Sequence, residues 1–177
     1  SFQLKAGKPA GSWKPEAGTR KLEADDMSDL SDLYQEVILD HNRRPRNFRV
    51  LDAATHQAEG FNPLCGDRLE LFLTVDSGVI KDVGFQGSGC AISKASASLM
   101  TDCLKGCLVA DACSLFERFH RMVTTPPDVP VEDLGKLSAF AGVREFPVRV
   151  KCASLAWHTL KAALNRTPKA TTEEGDD

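Results

Sequence analysis

The strongest constraint on the fold is a run of alternating hydrophobicity near the middle of the chain. Residues 69–76 (LELFLTVD) and 79–87 (VIKDVGFQG) alternate apolar and polar side chains, and Ser77 and Gly78 lie between them. Two such runs joined by two turn-forming residues are typical of an antiparallel β-hairpin. A further strand is expected near residues 53–60, so the sequence predicts three antiparallel strands.

Helical periodicity surrounds these strands. Met27 opens a segment whose apolar residues recur every three or four positions. This helix is expected to begin near Ser28 or Ser31, which can cap it, and to end before Pro45. Four further helical segments follow Gly89, at residues 91–104, 109–122, 131–140 and 152–165. The order predicts an α+β fold, in which a three-stranded antiparallel sheet packs against several α-helices.

The chain has the length and composition of one soluble domain. Its 177 residues are 42% hydrophobic and 27% charged, which is typical of a globular protein with a real core. Residues 1–26 contain two prolines and three glycines without a helical or strand period. We interpret them as a flexible N-terminal extension, either added in cloning or a poorly ordered tail. Residues 27–166 are predicted to form the folded domain, and residues 167–177 a loose polar C-terminal tail.

Charge and hydropathy exclude two classes of partner. The formal net charge of −3 provides no large positive field for a phosphate backbone, so nucleic acid is not expected to bind. No apolar run approaches the ~20 residues needed to cross a bilayer, and the first residues lack an apolar signal segment. The sequence therefore predicts a cytoplasmic protein without a membrane anchor.

The cysteines indicate metal or sulfur chemistry rather than disulfides. Disulfide frameworks belong mostly to small secreted domains, whereas this chain has a core and no export signal. Three cysteines lie in or between the predicted helices and are expected to be buried small apolar residues: Cys103, Cys107 and Cys113. The other three lie at predicted bends or helix starts: Cys65, Cys90 and Cys152.

These three cysteines and one carboxylate could bind a metal. Cys65 and Asp67 share one bend, Cys90 follows two glycines at a helix start, and Cys152 is expected to begin the last helix. A helix N-terminus favours a thiolate, and Lys151 beside Cys152 acts in the same direction. Three thiolates and a carboxylate suit tetrahedral zinc, and the thiolates equally suit an iron–sulfur cluster. The residue types alone leave open that the cysteines are small core residues and Asp67 a turn former.

Four motifs in order identify a resemblance. The segments LYQEVILDHNRRPRN, NPLCGD, GSGCAISKASASLM and KCASLAW together resemble the NifU/IscU-like iron–sulfur cluster assembly proteins, specifically the SufU branch. The resemblance runs from about Leu33 to Leu164 and implies that family's sheet packed with helices. Matched motif by motif, it implies a metal site whose ligands are Cys65, Asp67, Cys90 and Cys152.

Two departures from the IscU-type pattern favour the SufU branch. Lys151 stands where those scaffolds have a histidine, and the stretch between Cys90 and Cys152 is longer and contains TTPPDVPVEDLG. The resemblance to SufU implies a tightly held Zn²⁺ and a sulfurtransferase-type activity. Such a protein accepts persulfide sulfur from a SufS-type cysteine desulfurase and passes it to the downstream Suf cluster assembly machinery. Cys65 is the expected acceptor, because a loop cysteine beside Gly66 can move further than one at a helix start.

Two other functions compete with this interpretation. One is a scaffold on which a [2Fe–2S] cluster is assembled at the same ligands and passed to client proteins. The other is a purely structural zinc domain, although such domains usually carry paired CxxC motifs.

Charged residues near the motifs have expected roles as well. Five basic residues are candidates for docking the desulfurase or steering its persulfide: Arg43, Arg44, Arg46, Arg149 and Lys151. His41 is expected to cap the first helix by bonding its last carbonyls.

Overall fold

A computed structural model gives the fold of residues 21–22 and 24–172, with side chains described from residue 34 onward. The predicted extension over residues 1–26 falls largely outside the described residues, as do residues 173–177 of the predicted tail. Helices and strands follow one another as β1 (Lys21–Leu22), α1 (Ala24–Arg43), β2 (His56–Asn62), β3 (Asp67–Asp76), β4 (Val79–Ser88), α2 (Ala91–Leu104), α3 (Val109–Thr124), β5 (Val131–Glu132), a 3₁₀ helix (Gly135–Glu145), α4 (Pro147–Leu164) and β6 (Lys169–Thr171).

The predicted α+β fold is confirmed, and the sheet has one strand more than expected. Strands β2, β3 and β4 pair antiparallel, with Leu71 opposite both Ala58 and Phe85. The turn between β3 and β4 is the predicted one, because Ser77 and Gly78 have φ angles of 54° and 78°, as a type I′ hairpin requires. Strand β6 then pairs parallel to β2, so the sheet order is β4-β3-β2-β6.

Several predicted boundaries differ from those observed. Residues 169–171 were expected in a loose tail, but they form β6, which is too short to show an alternating pattern. Helix α1 begins at Ala24 rather than near Ser28, and a periodic sequence pattern locates such a boundary only to within a few residues. It ends at Arg43, two residues before Pro45, as predicted.

Helices α2 and α4 pack together and cover one face of the sheet. Trp157 of α4 is buried, stacks on Phe119 of α3 with ring centroids 4.4 Å apart, and donates an indole hydrogen bond to Ser96 Oγ at 3.1 Å. A Cβ on Gly60 of β2 would lie 2.0 Å from Thr159 Oγ1. The missing side chain therefore lets α4 lie directly against β2, which brings the first half of α4 to the end of the sheet that carries Cys65.

His41 links two helices instead of capping one. Its Nδ1 lies 2.7 Å from Ser98 Oγ, which also accepts the Arg46 backbone N–H at 2.8 Å. Burial lowers the pKa of His41, so this imidazole is predominantly neutral at neutral pH. The predicted bond to the last carbonyls of α1 is thus replaced by a contact between α1 and α2.

The helices within residues 24–172 include none that combines the length and apolarity needed to cross a membrane.

Candidate metal centre

Cys65 lies on the turn that joins β2 to β3. The backbone carbonyl of Asn62 accepts hydrogen bonds from the N–H groups of Cys65 at 3.3 Å and Gly66 at 2.7 Å. Gly66 has a φ angle of 78° and a Cβ there would meet open space, so glycine is present for its left-handed conformation. Cys65 is exposed, whereas Asp67, the first residue of β3, is only 2% exposed. The turn therefore presents one reachable thiol and one buried carboxyl group.

Cys90 caps the N-terminus of α2, as the sequence predicted. Its Sγ accepts the backbone N–H of Ser93 at 3.4 Å. Its own N–H donates to Asp67 Oδ1 at 3.0 Å, and its Sγ lies 3.8 Å from Asp67 Oδ2. The helix start and the first residue of β3 are thereby fastened to each other through the carboxyl group.

Cys152 lies inside α4 and does not begin it. The helix begins at Pro147, so Cys152 is its sixth residue and is only 3% exposed. The Nζ atom of Lys151 lies 3.5 Å from the backbone carbonyl of Thr172. The expectation that a helix N-terminus stabilises this thiolate is therefore wrong, because Cys152 is buried in the second turn of α4 and does not lie at its start.

The structure brings the predicted ligands together from four elements. The Sγ atoms of Cys65 and Cys152 lie 3.4 Å apart. Among the described residues, Cys65, Asp67 and Cys152 form the set whose ligand atoms all lie within 4.8 Å of one another. Cys90 stands beside this set and contacts it through Asp67. Two ligands of a tetrahedral zinc with bonds of about 2.3 Å lie roughly 3.8 Å apart, so the observed spacings are compatible with such an ion.

The electrostatics of the centre call for a cation. Burial raises the pKa of the Cys152 thiol, and the adjacent Cys65 and Cys90 thiols and the Asp67 carboxylate act in the same direction. Without a bound cation this thiol is protonated at neutral pH. A metal ion would supply the positive charge that allows closely spaced sulfur atoms to be anionic together.

The absence of a side chain at Gly89 leaves space for the Asp67 carboxylate. A Cβ on Gly89 would lie 2.8 Å from Asp67 Oδ1 and 3.1 Å from its carboxyl carbon. The glycine before Cys90 is therefore part of the centre, since a side chain there would occupy the space of the carboxylate.

A Gly89→Ala substitution is expected to displace Asp67 and weaken zinc binding by about 10–100-fold, the range seen when a group that orients a ligand is altered. Chelator competition measures this effect. Gly142→Ala is a matched control, because a Cβ at Gly142 meets nothing within 4 Å. Equal zinc affinity in both variants would show that the contact at Gly89 does not matter.

The three remaining cysteines lie outside this centre. Cys103 and Cys107 are buried, and desolvation raises the pKa of Cys103 to about 12. The prediction that they are small core residues is confirmed. Cys113 is exposed on α3, so the same prediction is wrong for Cys113, which lies on the solvent side of an amphipathic helix.

The predicted basic cluster is partly engaged within the protein. Arg46 forms a 2.8 Å ion pair with Asp40, and Arg44 lies 3.9 Å from the same carboxylate. Arg149 is exposed, and its guanidinium lies 4.7 Å from the ring centroid of Phe146. Three exposed apolar residues lie on the turn of Cys65 and at the start of α4: Leu64, Phe146 and Val148.

Gly89 and Asn62 lie within the motifs around Cys90 and Cys65, but no contribution to the centre was predicted for them. An asparagine two residues before a loop N–H is a signal for a side-chain-closed turn, and the hydrogen bond from Leu64 N–H to Asn62 Oδ1 at 3.1 Å is such a closure.

The sequence is similar to known families and proteins over most of its length. Residues 33–153 match the family model described as the NifU-like N-terminal domain. The chain is 39% identical over 144 residues to the "Iron-sulfur cluster assembly scaffold protein IscU" of Streptococcus pyogenes serotype M1, covering 81% of this chain and 90% of that protein. It is 40% identical over 137 residues to the "Zinc-dependent sulfurtransferase SufU" of Bacillus subtilis strain 168, covering 77% and 92%.

Solved structures agree with these similarities. The crystal structure of FiSufU, a SUF-system protein from Fervidobacterium islandicum AW-1, superposes with a TM-score of 0.67. It is 33% identical and covers 73% of this chain and 94% of that one. The N-terminal part of a NifU-like protein from Brucella abortus, at 20% identity, shares the fold with a TM-score of 0.68 over 78% of this chain and 96% of that one.

Proposed function

The chain belongs to the NifU-like N-terminal domain family of iron–sulfur cluster assembly proteins, and we propose that it is a zinc-dependent sulfur acceptor for a cysteine desulfurase. The observation that carries the proposal is the meeting of Cys65 and Cys152, 3.4 Å apart, beside the buried carboxyl group of Asp67. The exposed thiol of Cys65 can reach a sulfur donor, and afterwards it can bind again to a cation held beside the buried Cys152.

The residues of the centre fit a zinc ion. Three sulfur ligands and one carboxylate oxygen form a donor set that zinc accepts, and the residues that would hold the ion are Cys65, Asp67, Cys90 and Cys152. Bound zinc would keep these sulfur atoms anionic and mask their reactivity at rest.

The proposed chemical step is thiol–persulfide exchange at Cys65. The thiolate sulfur of Cys65 attacks the terminal sulfur of the desulfurase persulfide; a new S–S bond forms as the old one breaks. The desulfurase cysteine leaves as a thiolate, and the transferred sulfur keeps its proton, so no outside oxidant or reductant is needed. Cys65 suits this role because its side chain is exposed on a turn, whereas Cys152 is buried in a helix.

Cys90 is less suited to the attack although it is exposed. Its Sγ accepts the N–H of Ser93, and its backbone N–H is held by Asp67. A cysteine held through both its sulfur and its backbone at a helix start has less freedom to reach a second protein than one on the turn beside Gly66.

A scaffold function is the second candidate. The relative from Streptococcus pyogenes is named as a scaffold protein, and thiolate ligands accept an iron–sulfur cluster as readily as zinc. In that case the same four residues would hold a [2Fe–2S] cluster before its transfer to clients.

The experiment that tests the proposal is mass analysis of the zinc-loaded protein after incubation with a SufS-type cysteine desulfurase and cysteine, without iron. A gain of one sulfur atom on the peptide that contains Cys65 supports the sulfur acceptor. An unchanged mass, together with a coloured cluster that forms only when iron is added anaerobically, supports the scaffold instead.

We also propose that Arg149 helps to dock the desulfurase. It is exposed three residues before Cys152, at an end of α4 that also exposes Phe146 and Val148. Reversing this charge with Arg149→Glu is expected to weaken desulfurase binding about tenfold at low salt, since rim charges mainly steer association. Titration of binding at two salt concentrations measures the effect.

Lys81→Glu is the matched control for this charge reversal, because Lys81 is exposed on β4 toward the hairpin end of the sheet. Equal losses in the two variants would indicate a general charge effect and remove Arg149 from the docking surface.

A further inference from the structure

Asn62 is a buried residue that lies between the turn of Cys65 and the side chain of Cys152. It is the last residue of β2, is 0% exposed, and pairs across the strands with Asp67. Its backbone carbonyl holds the turn of Cys65 through the N–H groups of Cys65 and Gly66. A polar side chain buried so fully must satisfy its hydrogen-bonding groups within the protein.

The partners of the Asn62 amide fix its orientation. Its Oδ1 accepts the backbone N–H of Leu64 at 3.1 Å and the hydroxyl of Thr172 at 3.1 Å. Because a backbone N–H can only donate, the atom facing Leu64 must be the oxygen. The amide NH₂ group therefore points the other way, where Nδ2 lies 3.7 Å from Cys152 Sγ.

We propose that Asn62 is a positioning residue that sets the geometry of two ligands with one side chain, a role that rests on the proposed metal-bound sulfur acceptor. Its oxygen closes the turn that presents Cys65, and its NH₂ group donates to the sulfur of Cys152. A donated hydrogen bond stabilises a sulfur anion and makes it a poorer nucleophile. Cys152 is thereby kept as a resident ligand, which leaves the exposed Cys65 as the sulfur that moves.

Thr172 supports the oxygen of this amide together with Leu64. Its side chain is 3% exposed, and its hydroxyl donates to Oδ1, while its backbone carbonyl lies 3.5 Å from Lys151 Nζ. The residue that directly follows β6 thus reaches the centre and supports Asn62. Thr172, which was expected to lie in a loose tail, is therefore part of the ligand support.

The test replaces only the donating group. Asn62→Asp keeps an oxygen for Leu64 and Thr172 but turns a carboxylate oxygen toward Cys152. Asn165→Asp is the matched control, because it makes the same change at the exposed end of α4, about 20 Å along the helix from Cys152. Thr172→Val removes the support of the amide, and Thr172→Ser retains its hydroxyl.

The expected result concerns the metal and not activity. Zinc affinity, measured by chelator competition on the full chain, should fall about 10–100-fold in Asn62→Asp and about tenfold in Thr172→Val. It should stay within about twofold of the wild type in Asn165→Asp and Thr172→Ser. With Co²⁺ in place of zinc, the sulfur-to-cobalt absorption band should shift in the two weakened variants only.

A merely structural role would give a different pattern. Asn62→Asp and Thr172→Val would then lower the unfolding midpoint of the metal-free protein, yet leave zinc affinity and the cobalt band unchanged, and that result overturns the proposal. If Asn62→Asp does not fold, the Thr172→Val and Thr172→Ser pair decides alone. A wild-type protein without a sulfur-to-cobalt band would contradict the proposed metal centre itself, whereas a wild type that binds metal but accepts no sulfur would contradict only the acceptor function.

Discussion

Replacement of Cys65 by serine is expected to reduce sulfur acceptance from the desulfurase to background. A hydroxyl does not exchange with a persulfide under conditions where a thiolate does, and Cys90, the other exposed thiol of the centre, is fixed at the start of α2. Cys152 lies 3.4 Å away, but it is buried and protonated when no cation is present. Peptide mass analysis after incubation with desulfurase and cysteine would show the missing sulfur atom.

Cys113→Ser is the control for this experiment, since Cys113 is also exposed but lies on α3 outside the centre. It should accept sulfur at the wild-type rate. Zinc content and circular dichroism must be recorded for both variants, because Cys65 is also a proposed ligand. A folded Cys65→Ser protein that gains one sulfur at full rate would assign the acceptor role to another cysteine.

Removal of zinc is expected to lower the melting temperature by roughly 8–16 °C. A ligand at a thousand times its dissociation constant stabilises the folded state by about 4.1 kcal/mol, and each kcal/mol shifts the midpoint of a domain of this size by about 2–4 °C. The physical reason is that the proposed ligands come from a turn, a strand start and two helices, which the metal would fasten together. Thermal unfolding with and without a strong chelator measures the difference.

The identity of the added metal provides the control. Zinc returned after chelation should restore the midpoint, whereas Mg²⁺ should not, because hard cations prefer oxygen ligands to thiolates. A midpoint that does not change on chelation, in a protein shown to have lost its zinc, would mean that the sheet and helices hold the centre without the metal.

The sequence predicted those parts of the centre that depend on local patterns. Cys90 was expected at a helix start because glycines precede a helical run, and it is the N-cap residue of α2. Cys65 was expected at a bend because proline and glycine flank it, and it lies on the turn after β2. In both cases the residues within three positions decide the backbone conformation.

Features that depend on tertiary contacts were not predictable in the same way. The position of Cys152 inside α4 follows from the helix beginning at Pro147, and periodicity locates such boundaries only to within a few residues. The contact of His41 with Ser98 joins residues 57 positions apart, so no local sequence pattern predicts it. Strand β6 exists only because β2 offers it an edge.

Helical periodicity was also too coarse to separate the remaining cysteines. Cys107 and Cys113 stand only six positions apart, yet Cys107 is buried beside Ile80 and Cys113 faces solvent. Cys113 lies on a strongly amphipathic helix whose apolar side is formed by Ala112, Leu115, Phe116 and Phe119. A position one residue from the apolar side is enough to place a thiol in water.

The pairing of β6 with β2 has a consequence for how the protein behaves in a crowded solution. An unpaired strand edge is a template on which another chain can add a strand, and it is a common starting point for aggregation. In this protein residues 59–61 of β2 are paired with residues 169–171 of the same chain, next to the turn that carries the exposed Cys65. The thiol of Cys65 is therefore accessible to another protein, whereas the adjacent backbone of β2 is already hydrogen-bonded to β6. This arrangement favours a transient contact at Cys65 over the addition of a strand from another molecule.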